Sequence, residues 1–316
     1  MGRRKAALTL QARPVHAYDV VFTEDPRQFL DRAGPHLAAD PVLSTVVASV
    51  TDRAVAADEA GQPAPAYPRW WVTVADGEGQ VVGVGMRTAP FPPFPMFLLP
   101  MPDEAALAVA AELLERGELV GGVNGALPAA QVLAEELGRQ VGGSASVHEH
   151  TRLWVLGELV EPDPPPGRLR PAVDEDLELC LAWFQGFEQA AAEQAERTPR
   201  GDFEVFDRDD IETRIAERRI WVWEDESGEV VHLTAFNAPS FGVARIGPVF
   251  TPAEHRRRGL AGAAVARVSR MLLDQGARVC LFTDQANPTS NKVYARVGFE
   301  PVVEMANLVI SAPAPA

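Results

Sequence analysis

The sequence predicts a mixed α/β protein built from two similar halves. Three observations carry this: the amount of core the chain can bury, a hairpin that recurs, and a shared order of elements after each hairpin. The chain has 316 residues, 47% of them hydrophobic, enough for two domains of roughly 150 residues each. Trp71-Val72 recurs as Trp221-Val222, 150 residues on, and Val81-Val82 recurs as Val230-Val231, 149 residues on. Each pair flanks an acidic, glycine-containing turn. In both halves a helix, a short strand, a helix and a final strand follow, as two copies of one fold would give.

Taken in order, residues up to about Tyr18 carry little pattern. Phe29, Leu30, Leu37, Val42, Leu43, Val46 and Val47 predict two short helices between Asp25 and Ala57, broken at Pro35 and Pro41. Trp70 to Val74, a turn at Asp76 to Gly79, and Gln80 to Met86 read as a β-hairpin. Ala89 to Pro102 is dense in proline and phenylalanine, which predicts neither regular helix nor central strand. A helix is expected from Asp103 to Gly117, a short strand from Leu119 to Val123, a helix from Pro128 to Leu137, and a strand from Arg152 to Leu156. Glu161-Pro162-Asp163-Pro164-Pro165-Pro166-Gly167 is stiff and cannot donate to a sheet, so it reads as a linker. The expected division is 1–160, linker 161–167, and 168–316.

Beyond the linker, Arg168 to Arg170 suggests a strand, Asp174 caps a helix through Phe187, and Asp209 to Glu217 gives another helix. The second hairpin follows. An apolar strand then ends near Thr251, before a basic turn and a helix with Leu260, Ala264, Val268 and Leu272 at helical spacing.

Charge and cysteine usage narrow the function classes. A formal charge of -15 and a pI near 4.9 argue against nucleic acid or an anionic membrane as the main partner. Cys180 and Cys280 sit far apart in apolar runs, as buried thiols in a reducing cytoplasm would, and no zinc pattern exists. No secretory signal and no run of 18 uncharged apolar residues is present, so a cytoplasmic protein is expected, as monomer or homodimer.

Arg256-Arg257-Arg258-Gly259-Leu260-Ala261 is a local exception to the acidic balance. Free amides at a helix start point outward, the helix dipole favours an anion there, and Gly259 lets the backbone approach closely. The first half has Phe91-Pro92-Pro93-Phe94-Pro95 in place of this turn, so a single site in the second half is expected. Downstream, Asn287 is a good N-cap and Pro288 a good first helical residue. Asn287, Asn291 and Tyr294 share one face of the helix they begin.

These two blocks carry a family resemblance. Arg256 to Ala261 resembles the Q/R-x-x-G-x-G/A turn of the GNAT superfamily of acyl-CoA-dependent N-acyltransferases, with alanine in the last position. Asn287 to Phe299 resembles its N-x-x-S-x-x-x-Y-x-x-x-G-F pattern. The likeness covers roughly Arg168 to Ile310, and the first half resembles only the eroded N-terminal halves of tandem members. It implies, in each half, a mostly antiparallel central sheet with flanking helices, and a parallel pair ending near Thr251 and Thr283 that splays to admit a pantetheine arm.

The resemblance also implies roles. Val249, Phe250 and Thr251 would pair their backbone with the pantetheine of acetyl-CoA. Amides of Arg257, Arg258, Gly259, Leu260, Ala261 and Gly262 would hold the pyrophosphate, with Arg256, Arg257 and Arg258 adding charge. Asn287 and Asn291 would bond the pantetheine, and Tyr294 would protonate the leaving thiolate. No metal is implied.

The general base is not marked in the sequence. His232, Asp284, Glu254 and His255 are candidates, none compelling. The acceptor pocket is expected where Phe184 to Glu193 and Gln194 to Phe206 cross the front of the sheet, with Glu188, Glu193 and Glu196 as possible attractors of a cationic amine. The expected activity is acetyl transfer to a small primary amine. Transfer to a protein N-terminus or lysine, and a non-catalytic acyl-CoA-binding regulator, are the alternatives.

Overall fold

The computed structural model describes residues 17–90, 92–195 and 206–312. The first part of the chain runs β1 (Asp19–Thr23), α1 (Pro26–Ala39), α2 (Thr45–Glu59), β2 (Trp70–Ala75), β3 (Val81–Arg87), β4 (Met96–Leu98), α3 (Asp103–Glu115), β5 (Gly122–Ala126), α4 (Ala129–Gln140) and β6 (Ser144–Leu156). The second runs β7 (Arg168–Pro171), α5 (Leu177–Gln194), α6 (Arg208–Ala216), β8 (Ile220–Glu224), β9 (Val230–Ser240), β10 (Val243–Phe250), α7 (Leu260–Asp274), β11 (Arg278–Asp284), α8 (Pro288–Val297) and β12 (Phe299–Ser311).

Among the described residues all twelve strands form one sheet, ordered β1-β2-β3-β4-β5-β12-β6-β11-β10-β9-β8-β7. Only β4–β5 and β10–β11 pair in parallel; every other pairing is antiparallel. The mixed, mostly antiparallel α/β class expected from the sequence is therefore the observed one.

The two hairpins are copies in atomic detail. Asp76 Oδ1 accepts from the amides of Glu78 and Gln80 at 2.9 and 3.0 Å. Asp225 Oδ1 accepts from those of Ser227 and Glu229 at 2.8 and 3.1 Å. Gly79 and Gly228 close the turns with φ of 83° and 88°, a left-handed conformation that glycine adopts without a steric penalty.

Sequence order conceals how the halves join. The strand β6 pairs with β11 as well as β12, and β12 pairs with β5. Each half thus gives its last strand to the other's end of the sheet. Trp154 of β6 packs with Ile246, Val265, Leu281 and Tyr294, while Ala306 and Leu308 of β12 pack with Val72, Leu98, Val109 and Leu133. The stretch 161–167 has no regular structure and lies along the second half, with Glu161 paired to Arg270 at 3.0 Å and the Pro166 carbonyl accepting from Trp223 Nε1.

Three local expectations need correction. Pro35 does not break α1 but lies within it. It sits exposed beside exposed Asp31, so the carbonyl freed by the missing amide can bond water. The stretch Ala89 to Pro102 does contain a central strand, β4, whose three residues are free of proline; Met96 and Leu98 are fully buried. Finally, the positional counterpart of the basic turn is Leu99-Pro100-Met101-Pro102, between β4 and α3, rather than Pro92 to Pro95, which precede β4. Phe91 itself lies outside the described residues. The corrected counterpart strengthens the conclusion drawn from it, since its two prolines lack amides and Asp103 and Glu104 put negative charge at the start of α3.

Candidate functional site

The site forms where β10 and β11 part. Their parallel pairing runs from Val243 opposite Arg278 to Ile246 opposite Leu281 and stops. On its other side β10 shifts register against β9 between Ile246 and Val249. The intervening Gly247 has φ 152°, a backbone region that glycine alone enters cheaply.

Past β10, a 3-10 turn at Ala253–His255 leads to the basic loop. Arg256 Nε donates to the Thr251 carbonyl at 3.1 Å, tying the loop back to the strand end. Arg257 takes φ 63° and Gly259 φ 81°. A non-glycine residue held left-handed costs about 1–2 kcal/mol and persists where the surroundings demand it. Gly259 is the N-cap of α7 and provides no side-chain hydrogen bond. The first-turn amides of α7 are thereby left open.

A cavity of about 860 Å³ opens onto these elements. Arg256, Arg257, Arg258, Gly259, Leu260, Ala261 and Gly262 line one end, and Val249, Thr251, Asn287 and Tyr294 line its length. Two of the residues selected from the sequence are not brought to it. The Phe250 ring instead packs on Trp183 at 5.4 Å. Asn291 Nδ2 lies 3.3 Å from the carbonyls of Asp284 and Gln285, so its amide holds the end of β11. Asn287 caps α8, its Oδ1 accepting from the amides of Thr289 and Ser290 at 3.2 and 3.1 Å.

Tyr294 is buried, with its ring edge-on to Phe299 at 6.1 Å. Among the described residues its hydroxyl has no hydrogen-bond partner, and burial pushes the phenol above its ordinary pKa. A neutral phenol facing a cavity can give a proton or a hydrogen bond to developing negative charge.

The candidate bases separate clearly. His232 is fully buried, with Nδ1 2.7 Å from Thr251 Oγ1 and Nε2 2.7 Å from Thr234 Oγ1. One ring nitrogen donates and the other accepts, and burial lowers its pKa to about 3. It does not reach the cavity and acts as a strut for Thr251, which does. His255 lines the cavity, 3.3 Å from Arg258 Nη1 by its Nδ1. Asp284 lines it too and holds the Ala286 amide at 2.8 Å, whereas Glu254 is exposed outside it.

The far end is walled by α5, α6 and, from the first half, α2. Glu188 lines it; Glu193 does not and accepts from Gln189 instead. Glu196, like residues 197–205 of the stretch expected to cross the sheet, lies outside the described residues. Sequence reasoning missed Arg53, Arg214, Asn237 and Arg245 here. Arg245 had a signal, as the one charged residue in the apolar run Val243 to Phe250. Arg53 had none, because only tertiary packing brings the first half to the site.

The first half also supports the floor of the cavity. Trp154 Nε1 of β6 donates to Thr283 Oγ1 at 2.8 Å, and Thr283 is a lining residue. Among the described residues no cluster of metal-binding side chains occurs, and no helix is long and apolar enough to cross a membrane.

Fold and site together define a class of proteins whose splayed strands and glycine turn open onto one cleft. Residues 228–307 match the family model described as FR47-like protein. No curated protein sequence matches significantly. Among solved structures, a Drosophila protein is similar over 93% of this chain and 98% of its own at 14% identity, with a TM-score of 0.59. A GNAT-family acetyltransferase from Colwellia psychrerythraea matches over 93% and 100% at 11% identity, TM-score 0.53. A GCN5-related N-acetyltransferase from Sphaerobacter thermophilus matches over 75% and 79% at 14% identity, TM-score 0.52. The chain has the GNAT fold, and its second half carries the match to the FR47-like family model.

Proposed function

We propose that the protein is an N-acetyltransferase that moves an acetyl group from acetyl-CoA to a primary amine of a small acceptor by direct attack. The observation that carries this is the convergence, on one cavity, of an uncapped helix start behind Gly259, the parted strands β10 and β11, and the unpartnered hydroxyl of Tyr294. The residues present fit an acyl-CoA: open amides and arginines at one end suit phosphates, and the free backbone edge of β10 from Val249 to Thr251 suits the amides of a pantetheine arm. When bound there, acyl-CoA supplies a thioester carbonyl open to an amine and a thiolate as leaving group.

The chain's own part is binding and proton handling. Amides from Arg257 to Gly262 take the pyrophosphate, with Arg256 tied to the loop and Arg257 and Arg258 exposed for the nucleotide phosphates. The backbone of Val249, Phe250 and Thr251 orients the arm, and Asn287 orients it from α8. Asn291 acts through the loop it holds. Tyr294 is the proton donor. No dedicated base is assigned; an amine arriving neutral, or water deprotonated through a network, meets the need.

Thiol release from acetyl-CoA over a panel of small primary amines and of peptides tests the reading. Release with small amines supports it, and release only with peptides moves the acceptor to protein. Acetyl-CoA binding without release from any acceptor contradicts catalysis and favours a regulatory role. The sequence divisions at 161–167 enter this reading as a proposal too: the second half carries the chemistry and the first closes the pocket.

A further inference from the structure

Resting on the acyl-CoA reading, we infer that His232 is a positioning residue: Thr234, His232 and Thr251 form a one-way hydrogen-bond relay that leaves the Thr251 hydroxyl as a donor to an acceptor oxygen of the bound acyl-CoA.

The relay grows out of strand register. Val249 of β10 lies opposite Thr234 of β9, and Phe250 opposite Leu233. One step further brings Thr251 opposite His232, and directly opposed residues of an antiparallel pair share a face. His232 and Thr234 are two positions apart on β9 and share that face as well. The ring therefore stands between two hydroxyls, Nε2 2.7 Å from Thr234 Oγ1 and Nδ1 2.7 Å from Thr251 Oγ1. His232 and Thr234 are fully buried, whereas Thr251 is half-buried and lines the cavity.

That difference in burial sets the polarity. Burial keeps the ring neutral, so one nitrogen carries a proton and the other accepts. Among the described residues the ring nitrogen is the one hydrogen-bond partner of the Thr234 hydroxyl. A proton on Nε2 would make Thr234 the acceptor and strand its own proton in the core, which disfavours that tautomer by about tenfold to a hundredfold. The opposite tautomer strands nothing. Thr234 Oγ1 donates to Nε2, and Nδ1 donates to Thr251 Oγ1. Among the described residues Thr251 Oγ1 has no further partner, so its proton is left for an acceptor outside the relay. The Thr251 carbonyl meanwhile accepts from Arg256 Nε at 3.1 Å, so main chain and side chain are both fixed before a ligand arrives. A donor held in place in advance loses little freedom on binding. The edge beside it, Val249 to Thr251, is the one proposed to carry the pantetheine arm, whose amides offer carbonyl oxygens.

The test reads the tautomer and the ligand separately, on the full chain. With histidine labelled by nitrogen-15, long-range proton-nitrogen correlation tells a protonated ring nitrogen from a bare one. The chain has six histidines, and the signals lost in His232→Gln are those of His232. A protonated Nδ1 and a bare Nε2 are expected; the reverse, or equal amounts of both forms, overturns the relay. Calorimetry then compares acetyl-CoA affinity in the wild type, Thr251→Val, Thr251→Ser, His232→Leu and the double variant His232→Leu with Thr251→Val. Loss of one neutral hydrogen bond should weaken binding about threefold to tenfold in Thr251→Val, and Thr251→Ser should restore it. His232→Leu should weaken binding in the wild type and add little once the Thr251 hydroxyl is gone. Unchanged affinity in Thr251→Val, or a His232→Leu effect equally large with and without that hydroxyl, overturns the inference while acyl-CoA binding stands. Should His232→Leu not fold, the tautomer and the two Thr251 variants decide alone. A wild type that does not bind acetyl-CoA overturns both this inference and the reading beneath it.

Discussion

At the residue scale, Tyr294 and His232 show how burial decides a role. Both are buried and both have shifted titration, but Tyr294 lines the cavity with a hydroxyl that has no hydrogen-bond partner among the described residues, while both His232 nitrogens are taken by threonines. Tyr294→Phe keeps the ring against Phe299 and removes only the hydroxyl proposed as proton donor. Turnover should fall by about 100-fold, the lower range for a positioned acid, with acetyl-CoA affinity measured by calorimetry unchanged; unaltered turnover across pH would remove Tyr294 from the role. For His232 the sign follows from its lowered value. Burial takes the folded pKa to about 3, against roughly 6.5 in the unfolded chain. Between these values the unfolded chain binds more protons, so stability is complete above the unfolded value and is lost as pH falls. By pH 5 the loss is about 2 kcal/mol. His36, lowered by burial, adds in the same direction. Urea unfolding at pH 7 and pH 5 should therefore show the wild type losing about 2 kcal/mol more than His232→Gln, and equal losses would mean that His232 is not held neutral.

At the scale of elements, the loop from Thr251 to Gly259 and the helix α7 carry the account. Gly259 sits at φ 81°, and a Cβ there would meet nothing within 4 Å. Gly259→Ala therefore introduces backbone strain of about 1–2 kcal/mol rather than a clash. Relief of that strain would turn the first amides of α7, so acetyl-CoA should bind about tenfold more weakly while the rest of the protein stays folded. Calorimetry and thermal unfolding on the same sample check this, and unchanged affinity would take Gly259 out of the phosphate cradle. This element was legible in sequence because its signal is local: a glycine, three arginines and a helical apolar stripe in one stretch. The same holds for Asn287 and Pro288 at the start of α8, and for the two hairpin turns. What escaped reading was set by packing between distant segments. Three of the four residues between Pro95 and Pro100 form β4 because strands on both sides present free ladder groups. Asn291 turns toward the β11 exit loop rather than the cavity, which its helical face alone could not reveal.

At the scale of the whole molecule, exchange of β6 and β12 makes each half complete the other. Trp154 stands in the core beneath α7, and Ala306 and Leu308 stand beneath α3 and α4. Sequence order pointed to two similar units divided near the linker, but the partner of a final strand is a long-range choice with no local signature. One cooperative unfolding transition is expected by calorimetry and by fluorescence alike. A chain cut within 161–167 should keep both fragments associated, and separately folded, non-associating fragments would show that the exchange is not needed. The same architecture leaves only the second half, among the described residues, with a basic glycine turn between a parallel strand and a helix start, so one acyl-CoA site per chain is required. Calorimetric titration of the intact protein with acetyl-CoA measures this directly. The account predicts saturable binding at one molecule per chain, abolished or strongly weakened when Arg257 and Arg258 are replaced together by glutamate. No saturable binding, a stoichiometry of two, or binding indifferent to those replacements would contradict it.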